Sequence, residues 1–569
     1  MTDKAFLSRA IDQGRGVAPA DLVIKNVGLL DIVYGGVTVT DIAICGDRIV
    51  GTYATYAGTR EINGNGLFAV PGFIDTHLHI ESSLVTPQEF DRCVLPHGVT
   101  TAICDPHEIA NVLGIEGIRF FLDSAETTIM DIRVQLSSCV PATAFETSGA
   151  TLLASDLVPL RSHPKVIGLA EFMNFPGVLN SDPDVLDKLV AFQDGHIDGH
   201  APLVRGYDLN GYLTARIRTD HETTIAADGR EKLKKGMTVL IREGSVTKDV
   251  HALAEILDAD SSSMCCLCTD DRNPLDIAEE GHLDYIVRTL IELGCPLHHV
   301  YRAASWSAAN AFGLRDRGMI APGRRADIVL VGDLAACSVK TVISAGRLVS
   351  DELFATRKKI APIGLNSIKA RKVTAADFRI PGGTADLVMI GVAPGRVVTD
   401  RKVMRVEATG NERRADIARD IAKVAVIERH GKNGNIARAF VTGFGFQRGA
   451  IASSVGHDSH NICVVGVDDD DMALAVNRLR EIGGGFVVAS AGAVRAELAL
   501  PIAGLISLEP FEAVHAGLIP IRAAARDLGC SLPEPFLQVA FLPLVVIPHM
   551  KISDFGLFDV DKFELVEAV

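Results

Sequence analysis

The sequence lacks the features that mark membrane proteins and nucleic-acid-binding proteins. Its longest notable apolar run, FLPLVVIP at 541–548, is far shorter than the ~20 residues that a membrane helix needs. Basic residues are outnumbered, with 56 Lys and Arg against 71 Asp and Glu, and the net charge of −15 argues against binding to nucleic acid or to a membrane surface. A free nucleobase stays open as a substrate, because it carries no phosphate.

Aromatic residues are scarce, and the cysteines form no regular pattern. Aromatics make up 5% of the 569 residues, whereas 48% are hydrophobic and 52 are glycine. This composition favours a large α/β enzyme over a disulfide scaffold or a coiled coil. The 11 cysteines are scattered, and MTDKAFLSRAIDQGRG shows no signal-peptide pattern, so we expect a cytoplasmic protein with reduced thiols. The length predicts roughly three or four domains.

Short β-rich pieces on both sides of a long middle segment indicate one split domain. Strand-like pieces broken by Gly and Asn occur at 21–70, and the same texture returns at 326–349. They predict a small β-sandwich built from residues 1–71 and 316–364. After residue 364 the pattern changes to strands and a helix-like DDMALAVNRLREIGGG run, which predicts a separate α/β domain over 365–569.

The middle segment, residues 72–315, alternates strand-like and helix-like stretches. The strand candidates in chain order are 72–81, 98–105, 131–140, 166–172, 196–200, 215–222, 237–245 and 262–271. Amphipathic runs such as EIANVLGIEGIRFFLDSA lie between several of them, with apolar spacing near 3.6 residues. Eight such units predict an α/β fold of the (β/α)8 TIM-like barrel type, which typically has ~250 residues.

Polar residues recur at the ends of these strands, where barrels of this kind carry their active sites. In chain order they are His77, His79, Asp105, Glu171, His200, His221, Glu243 and Asp270. On a strand, residues i and i+2 point to the same side, so His77 and His79 can bind one cation. Taken alone, the pair is ambiguous, because two such histidines can also be a structural pair. An acid and two further histidines on later strand ends favour a metal site.

This donor set predicts two divalent cations. The histidine pair of the first strand and Asp270 would hold one, His200 and His221 would hold the other, and Glu171 could bridge them. Imidazole and carboxylate without thiolate suit Zn, Fe or Mn, and the ligand types do not choose among these. Two such ions would lower the pKa of a water molecule between them. Asp270 could then accept its proton and pass it to a leaving group.

Two polar stretches have alternative interpretations. The candidates in them for lining the pocket or holding an extra metal are Asp105, His107, Glu108, His457, Asp458 and His460. In the first stretch, Asp105 could instead cap a helix, with Glu108 at capping-box spacing. In the second, the three residues could be ordinary buried loop residues, or their loop could reach over the barrel mouth.

Several stretches resemble the amidohydrolase superfamily and, within it, the bacterial-type adenine deaminases. VPGFIDTHLHIE and APGRRADIVLV carry the broader resemblance. The narrower one rests on stretches that include HIESS (79–83), CDPHEIANV (104–112), AEFMNFPGV (170–178) and LCTDDRNP (267–274). It covers nearly the whole chain. The resemblance implies hydrolysis of adenine to hypoxanthine and ammonia in purine salvage, with two Mn or Fe ions, Zn as an alternative, and a homo-oligomer such as a dimer.

The resemblance also implies roles for single residues. Glu171 stands where many superfamily members carry a carboxylated lysine, and a bridging hydroxide would attack C6 of the purine. Glu243 is the first choice for protonating a ring nitrogen, with Glu222 in reserve, and Asp270 would deliver the proton that turns the amino group into ammonia.

Two rival functions stay open. Another amidohydrolase acting on a cyclic amide or an N-acetyl substrate would use the same metals, and ammonia release from adenine would distinguish it. A non-catalytic metal-binding scaffold would show no turnover. The zinc nucleobase deaminases are set aside, because the P-C-x-x-C half of their signature does not occur in the chain.

Overall fold

The N-terminal strands form part of a sheet that the chain completes more than two hundred residues later. The structure, a computed structural model, describes residues 3–566 and begins with helix α1 (Lys4–Gly14). The strands that follow are β1 (Ala20–Asp31), β2 (Gly36–Cys45), β3 (Arg48–Ala54), β4 (Gly58–Asn63) and β5 (Phe68–Pro71). Runs of Val, Ile and Leu in β1 and β2 suit strands that pack on a core.

Eight parallel strands form the central barrel. They are β6 (Phe73–Leu78), β7 (Val99–Cys104), β8 (Asp131–Leu136), β9 (Val166–Phe172), β10 (His196–Gly199), β11 (Thr219–Asp220), β12 (Thr238–Arg242) and β13 (Cys265–Cys268). Strands β6 to β10 pair in one curved sheet, and β11 to β13 pair in a second. The backbone N–H of Asp270 donates to the carbonyl of His77 over 3.0 Å and joins the end of β13 to β6. The predicted TIM-like barrel is confirmed.

Helices connect the barrel strands and cover their outer side. They are α2 (Pro87–Val94), α3 (His107–Leu113), α4 (Ile115–Ala125), α5 (Ala154–Leu157), α6 (Phe175–Leu179), α7 (Pro183–Phe192), α8 (Gly206–Thr214), α9 (Ala226–Lys234), α10 (Val250–Leu253), α11 (Pro274–Glu279), α12 (Leu283–Glu292), α13 (Leu297–Arg302) and α14 (Ala308–Ala311). In α12, the apolar residues at helical spacing, Leu283, Ile286, Val287 and Leu290, are all buried. Such stripes face the strands and leave the polar faces to solvent.

After the barrel the chain returns to the N-terminal strands. It forms β14 (Ile328–Val331), β15 (Val339–Ser344), β16 (Arg347–Leu348) and helix α15 (Asp351–Ala355). Strand β14 pairs antiparallel with β5, and the sheet order is β16-β15-β14-β5-β1-β2-β3, with β4 beside β1. Segments on both sides of the barrel therefore share one sheet. Its arrangement as a sandwich stays a prediction, as do the three domain boundaries.

The C-terminal part is built on a second eight-stranded sheet. Its strands and those of two small sheets are β17 (Ile380–Pro381), β18 (Leu387–Gly391), β19 (Asp400–Met404), β20 (Ala408–Thr409), β21 (Glu412–Arg413), β22 (Ile421–Ile427), β23 (Ile436–Thr442), β24 (Ala450–Ser453), β25 (Ile462–Gly466), β26 (Gly485–Ser490), β27 (Ala493–Ala499), β28 (Met550–Ser553), β29 (Gly556–Asp559) and β30 (Glu564–Val566). The helices are α16 (Asp469–Ile482), α17 (Phe511–Asp527) and α18 (Pro535–Ala540). The large sheet has the order β19-β18-β23-β22-β25-β24-β26-β27.

Within residues 3–566, no helix has both the length and the apolar character that crossing a bilayer requires.

Candidate active site

The two histidines at the end of β6 are oriented by hydrogen bonds from one ring nitrogen each. His77 Nδ1 lies 3.0 Å from a carboxylate oxygen of Asp198, and His79 Nδ1 lies 3.0 Å from the backbone carbonyl oxygen of Asp105. Each acceptor fixes the proton on Nδ1, which leaves Nε2 as an electron-pair donor. The two Nε2 atoms lie 3.6 Å and 3.3 Å from Asp270 Oδ1. The pair and Asp270 thus surround one point.

The carboxylate of Glu171, in β9, lies between two groups of histidines. Its Oε1 is 3.6 Å from His77 Nε2 and 3.3 Å from His79 Nε2. Its Oε2 is 2.7 Å from His200 Nδ1 and 3.4 Å from His221 Nε2. Burial opposes the charge, but His221 and His200 hold the pKa of Glu171 well below its usual range. One ionised carboxylate therefore touches both groups with different oxygens.

The donor atoms fit divalent cations. Sets whose ligand atoms lie within 4.8 Å of one another include His77 with His79 and Asp270, His77 with Glu171 and His221, and His200 with His221 and Glu222. Three buried nitrogens, His77 Nε2, His200 Nε2 and His221 Nδ1, have no hydrogen-bond partner among residues 3–566. Buried polar atoms without partners are costly, and coordination would satisfy His77 Nε2, which faces Glu171 and Asp270. His200 and His221 face Glu171 with their other ring nitrogens. Nitrogen and oxygen donors without thiolate suit Mn, Fe or Zn.

Arg242, the last residue of β12, is a charged residue of the site that the strand pattern did not identify. Its buried guanidinium donates to Glu222, to Asp270 Oδ2 over 3.0 Å, and to Asp249 Oδ2 over 2.9 Å. Burial works against its charge, yet Glu222, Asp249 and Asp270 raise the pKa of Arg242 well above its usual value. Glu222 and Asp270 are thereby held as carboxylates.

Glu243 does not line the pocket, and this corrects the expectation that it meets the substrate. It follows Arg242, the last residue of β12, and therefore lies outside the strand. Its carboxylate accepts a hydrogen bond from the backbone N–H of Val250 over 3.2 Å. Burial raises the pKa of Glu243 to about 7. Of the two carboxylates considered for the purine ring, only Glu222 faces the cavity.

In the DPHE stretch, His107 and Glu108 contact the C-terminal domain, and Asp105 bonds to His107 and Ser137 instead of capping a helix. Helix α3 begins at His107 without a side-chain hydrogen bond at its cap. Asp105 Oδ2 lies 2.9 Å from His107 Nδ1, and Glu108 Oε1 lies 2.5 Å from His457 Nδ1. His460 contacts the other oxygen of Glu108. The capping interpretation of Asp105 and Glu108 is therefore wrong.

The site opens into one small cavity at the barrel mouth, with a volume of about 30 Å³. Its polar wall includes His79, His107, Glu108, Glu171, His200, His221, Glu222, Arg242, Asp270, Asp271, His457 and Asp458. Its apolar wall, which we call the roof, consists of Met173 from the barrel and Val397, Phe541, Leu544 and Ile547 from the C-terminal part. The loop at 457–460 thus reaches the barrel mouth, one of the two alternatives for it. His77 and His460 lie behind this lining.

Two family models match most of the chain. Residues 68–349 match the Amidohydrolase family, and residues 396–564 match the Adenine deaminase C-terminal domain. The chain is 64% identical to "Adenine deaminase 1" of Rhizobium meliloti (strain 1021), over 98% of this chain and 99% of that protein. It is 63% identical to "Adenine deaminase 1" of Rhizobium etli, over 100% of both. Among solved structures, N-acetyl-D-glucosamine-6-phosphate deacetylase from Mycobacterium smegmatis aligns with 58% of this chain and 100% of its own, at TM-score 0.46 and 17% identity.

Proposed function

The chain belongs to the adenine deaminase family, and from this premise we propose that it hydrolyses adenine to hypoxanthine and ammonia. The observation that carries the proposal is the Glu171 carboxylate, whose two oxygens face two separate histidine groups. That arrangement supports a two-ion hydrolytic centre. The relatives named adenine deaminase align over nearly all of their own length, which supports adenine as the substrate.

Two divalent cations would be held by residues already described. The histidine pair of β6 and Asp270 would hold one, His200 and His221 the other, and Glu171 would contact both. We favour Mn or Fe, with Zn as an alternative. When bound, the ions supply Lewis-acid chemistry and lower the pKa of water toward neutrality.

Asp270 is placed to move the proton. Its Oδ1 faces the Nε2 atoms of the β6 histidines, and its Oδ2 accepts a hydrogen bond from Arg242. Burial opposes the charge of Asp270, but hydrogen bonds with His77 and His79, followed by the charge of Arg242, hold its pKa well below its usual range. As a carboxylate, Asp270 can accept a proton from the attacking water and pass it to the departing amino nitrogen.

Glu222 and the roof would orient the purine. Burial opposes the charge of Glu222, but Arg242 lowers its pKa, so the carboxylate stays charged. A carboxylate of that kind is better suited to accept a hydrogen bond from a purine N–H than to act as an acid. Phe541 and Leu544 offer an apolar surface to the face of the base and exclude water from the reaction.

Ammonia release tests the proposal. Protein loaded with Mn(II) or Fe(II) is offered adenine, adenosine and cytosine, and we expect ammonia from adenine. Glu171→Gln should lose this activity, because a neutral amide cannot balance two ions, whereas Glu564→Gln, on an exposed side chain, should keep it. If none of the three compounds releases ammonia, the proposed deaminase function is rejected. Turnover of a cyclic amide or an N-acetyl substrate instead would favour the rival amidohydrolase.

The finer parts of the proposal concern context. We propose a role in purine salvage in the cytoplasm, with the chain working as a homo-oligomer such as a dimer and divided at residues 71, 315 and 364. All 11 cysteines are free thiols, which supports a reducing compartment. Light scattering coupled to gel filtration measures the oligomeric state, and a monomer at assay concentration would contradict the dimer.

A further inference from the structure

A second cluster of metal-ligating side chains lies between the barrel and the C-terminal domain. His107 and Glu108 come from the start of α3, and His457 and Asp458 come from the loop between β24 and β25. All four are buried, with at most 4% of their surface exposed. They line the same cavity, and His107 Nδ1 lies 3.5 Å from Glu171 Oε1, the oxygen that does not face His200 and His221.

The donor atoms of these four residues are spaced like the ligands of one ion. His107 Nε2 is 3.3 Å from Glu108 Oε1 and 3.7 Å from Asp458 Oδ1. His457 Nδ1 is 2.5 Å from Glu108 Oε1 and 3.7 Å from Asp458 Oδ1. Ligand atoms held ~2.1 Å from one ion lie about 3 to 3.5 Å apart. Three of the four separations are close to that range. The fourth, between His457 Nδ1 and Glu108 Oε1, would have to lengthen around an ion.

Asp458 distinguishes this cluster from an ordinary network of ion pairs. It is 1% exposed, and its Oδ2 has no hydrogen-bond partner within the described residues 3–566. Its ion-pair partners there are the imidazoles of His107 and His457, both at 3.7 Å, beyond hydrogen-bond length. A buried carboxylate in that position is costly unless a cation compensates its charge.

Neighbouring groups orient the ligands. Asp105 Oδ2 accepts the Nδ1 proton of His107 over 2.9 Å, so His107 Nε2 is free to face the cluster. His460 Nδ1 accepts from the backbone N–H of Gly456 over 3.1 Å, and its Nε2 contacts the second oxygen of Glu108. Metal ligands in proteins are commonly oriented in this way, by a hydrogen bond from a second residue that does not itself bind the metal. The thiol of Cys139 also lies near His107 and Asp458.

We propose that His107, Glu108, His457 and Asp458 bind a third divalent cation. Two imidazoles and two carboxylates suit Mn(II), Fe(II) or Zn(II). Because each domain contributes two ligands, the ion ties the barrel loop that starts α3 to the loop at 457–460. It thereby holds the C-terminal domain over the cavity. The site does not depend on which reaction the protein catalyses.

Counting metal ions tests the third site. Protein loaded without oxygen in excess Mn(II) and then desalted should contain three Mn per chain by mass spectrometry of the element, and Asp458→Asn and Glu108→Gln should contain two. Asp471→Asn is the matched control: Asp471 is buried and accepts hydrogen bonds from the backbone N–H groups of Ala491 and Gly492, so this variant should keep three. Two Mn per chain in the unsubstituted protein would overturn the site.

Crystals of the unsubstituted protein keep the test independent of how the variants fold. Anomalous scattering from Mn should show a peak among the four side chains, as well as peaks beside Glu171. Peaks beside Glu171 alone would overturn the third site. Full adenine turnover with two bound ions would reject the third site but not the deaminase function. Three bound ions without ammonia release would support the third site and reject the deaminase function.

Discussion

Single residues in the site owe their roles to burial and to their charged neighbours. Arg242 illustrates this, since its fully buried guanidinium contacts Glu222, Asp249 and Asp270. None of these carboxylates could stay ionised so far from water without a positive partner. The positive charge of Arg242 therefore helps to keep Glu222 and Asp270, which face the cavity, ionised; at Asp270 it adds to the hydrogen bonds of the β6 histidines.

Replacing Arg242 tests this dependence. Arg242→Met leaves three buried carboxylates without their cation, and we expect the free energy of unfolding in urea at pH 7 to fall by about 3–5 kcal/mol. Arg478→Met removes a partly exposed arginine that pairs with Glu497 and should cost less than about 1 kcal/mol. Equal losses from the two substitutions would contradict a special role for Arg242.

Strand ends position the ligands, and Gly199 shows how closely adjacent strands approach there. A Cβ on Gly199 would lie 2.3 Å from the backbone oxygen of Thr219, so β10 and β11 would have to separate. His200 follows directly and would move with the end of β10. The ligand position thus depends on a glycine that carries no chemistry of its own.

Gly199→Ala should therefore disturb both stability and metal binding. We expect a loss of about 1–3 kcal/mol in the free energy of unfolding and fewer Mn ions retained after desalting. Gly195→Ala is the control, because the nearest atom to its Cβ would be 3.7 Å away. A Gly199→Ala protein with unchanged stability and metal content would show that the strands can adjust at no cost.

The barrel could be predicted from the sequence because each strand carries its own apolar pattern and every predicted strand except the third, 131–140, ends in a polar candidate. The exact ends of the strands could not be predicted, because hydrogen bonding between neighbouring strands determines where each strand ends. The predicted strand 237–245 ends at Arg242 in the structure, so Glu243 lies beyond the strand and its carboxylate meets the backbone N–H of Val250 instead of the cavity. The predicted strand 215–222 shrinks to Thr219–Asp220, although His221 still reaches the site.

Partners that lie far apart in the chain were beyond sequence patterns. The contact of Glu108 with His457 joins segments about 350 residues apart and depends on how the C-terminal domain sits on the barrel. Asp198, which orients His77, occurs in the same DGH stretch as His200, so its spacing was visible but its partner was not. Pairing across domains is set by tertiary packing, which local propensity does not encode.

At the scale of the whole molecule, a buried lysine joins the C-terminal segments that form the roof of the cavity. Lys551 Nζ donates to the backbone carbonyls of Val397 over 2.8 Å and Phe541 over 2.9 Å. Both acceptors belong to the roof of the cavity. Burial lowers the pKa of Lys551 to about 7.

The pH dependence of stability tests this buried amine. Between pH ~7 and ~10.5 the unfolded chain binds a proton at Lys551 that the folded protein does not, so stability rises with pH in that window. Below pH 7 Lys551 is protonated in both the folded and the unfolded state, so the free-energy cost of burying its charge no longer changes with pH. Relative to Lys551→Met, the natural protein should gain up to about 4 kcal/mol of unfolding free energy from pH 7 to 10. Lys562→Met, at an exposed lysine, should show no such trend. A parallel pH profile for both variants would contradict the low pKa.

The central claim is that distant side chains converge on a pair of cations joined by Glu171. Electron paramagnetic resonance of the Mn(II)-loaded protein measures this directly, because two ions sharing a carboxylate couple magnetically. We predict an exchange-coupled Mn pair in the natural protein and its loss in Glu171→Ala. A spectrum of isolated Mn(II) ions alone in the natural protein would contradict the account.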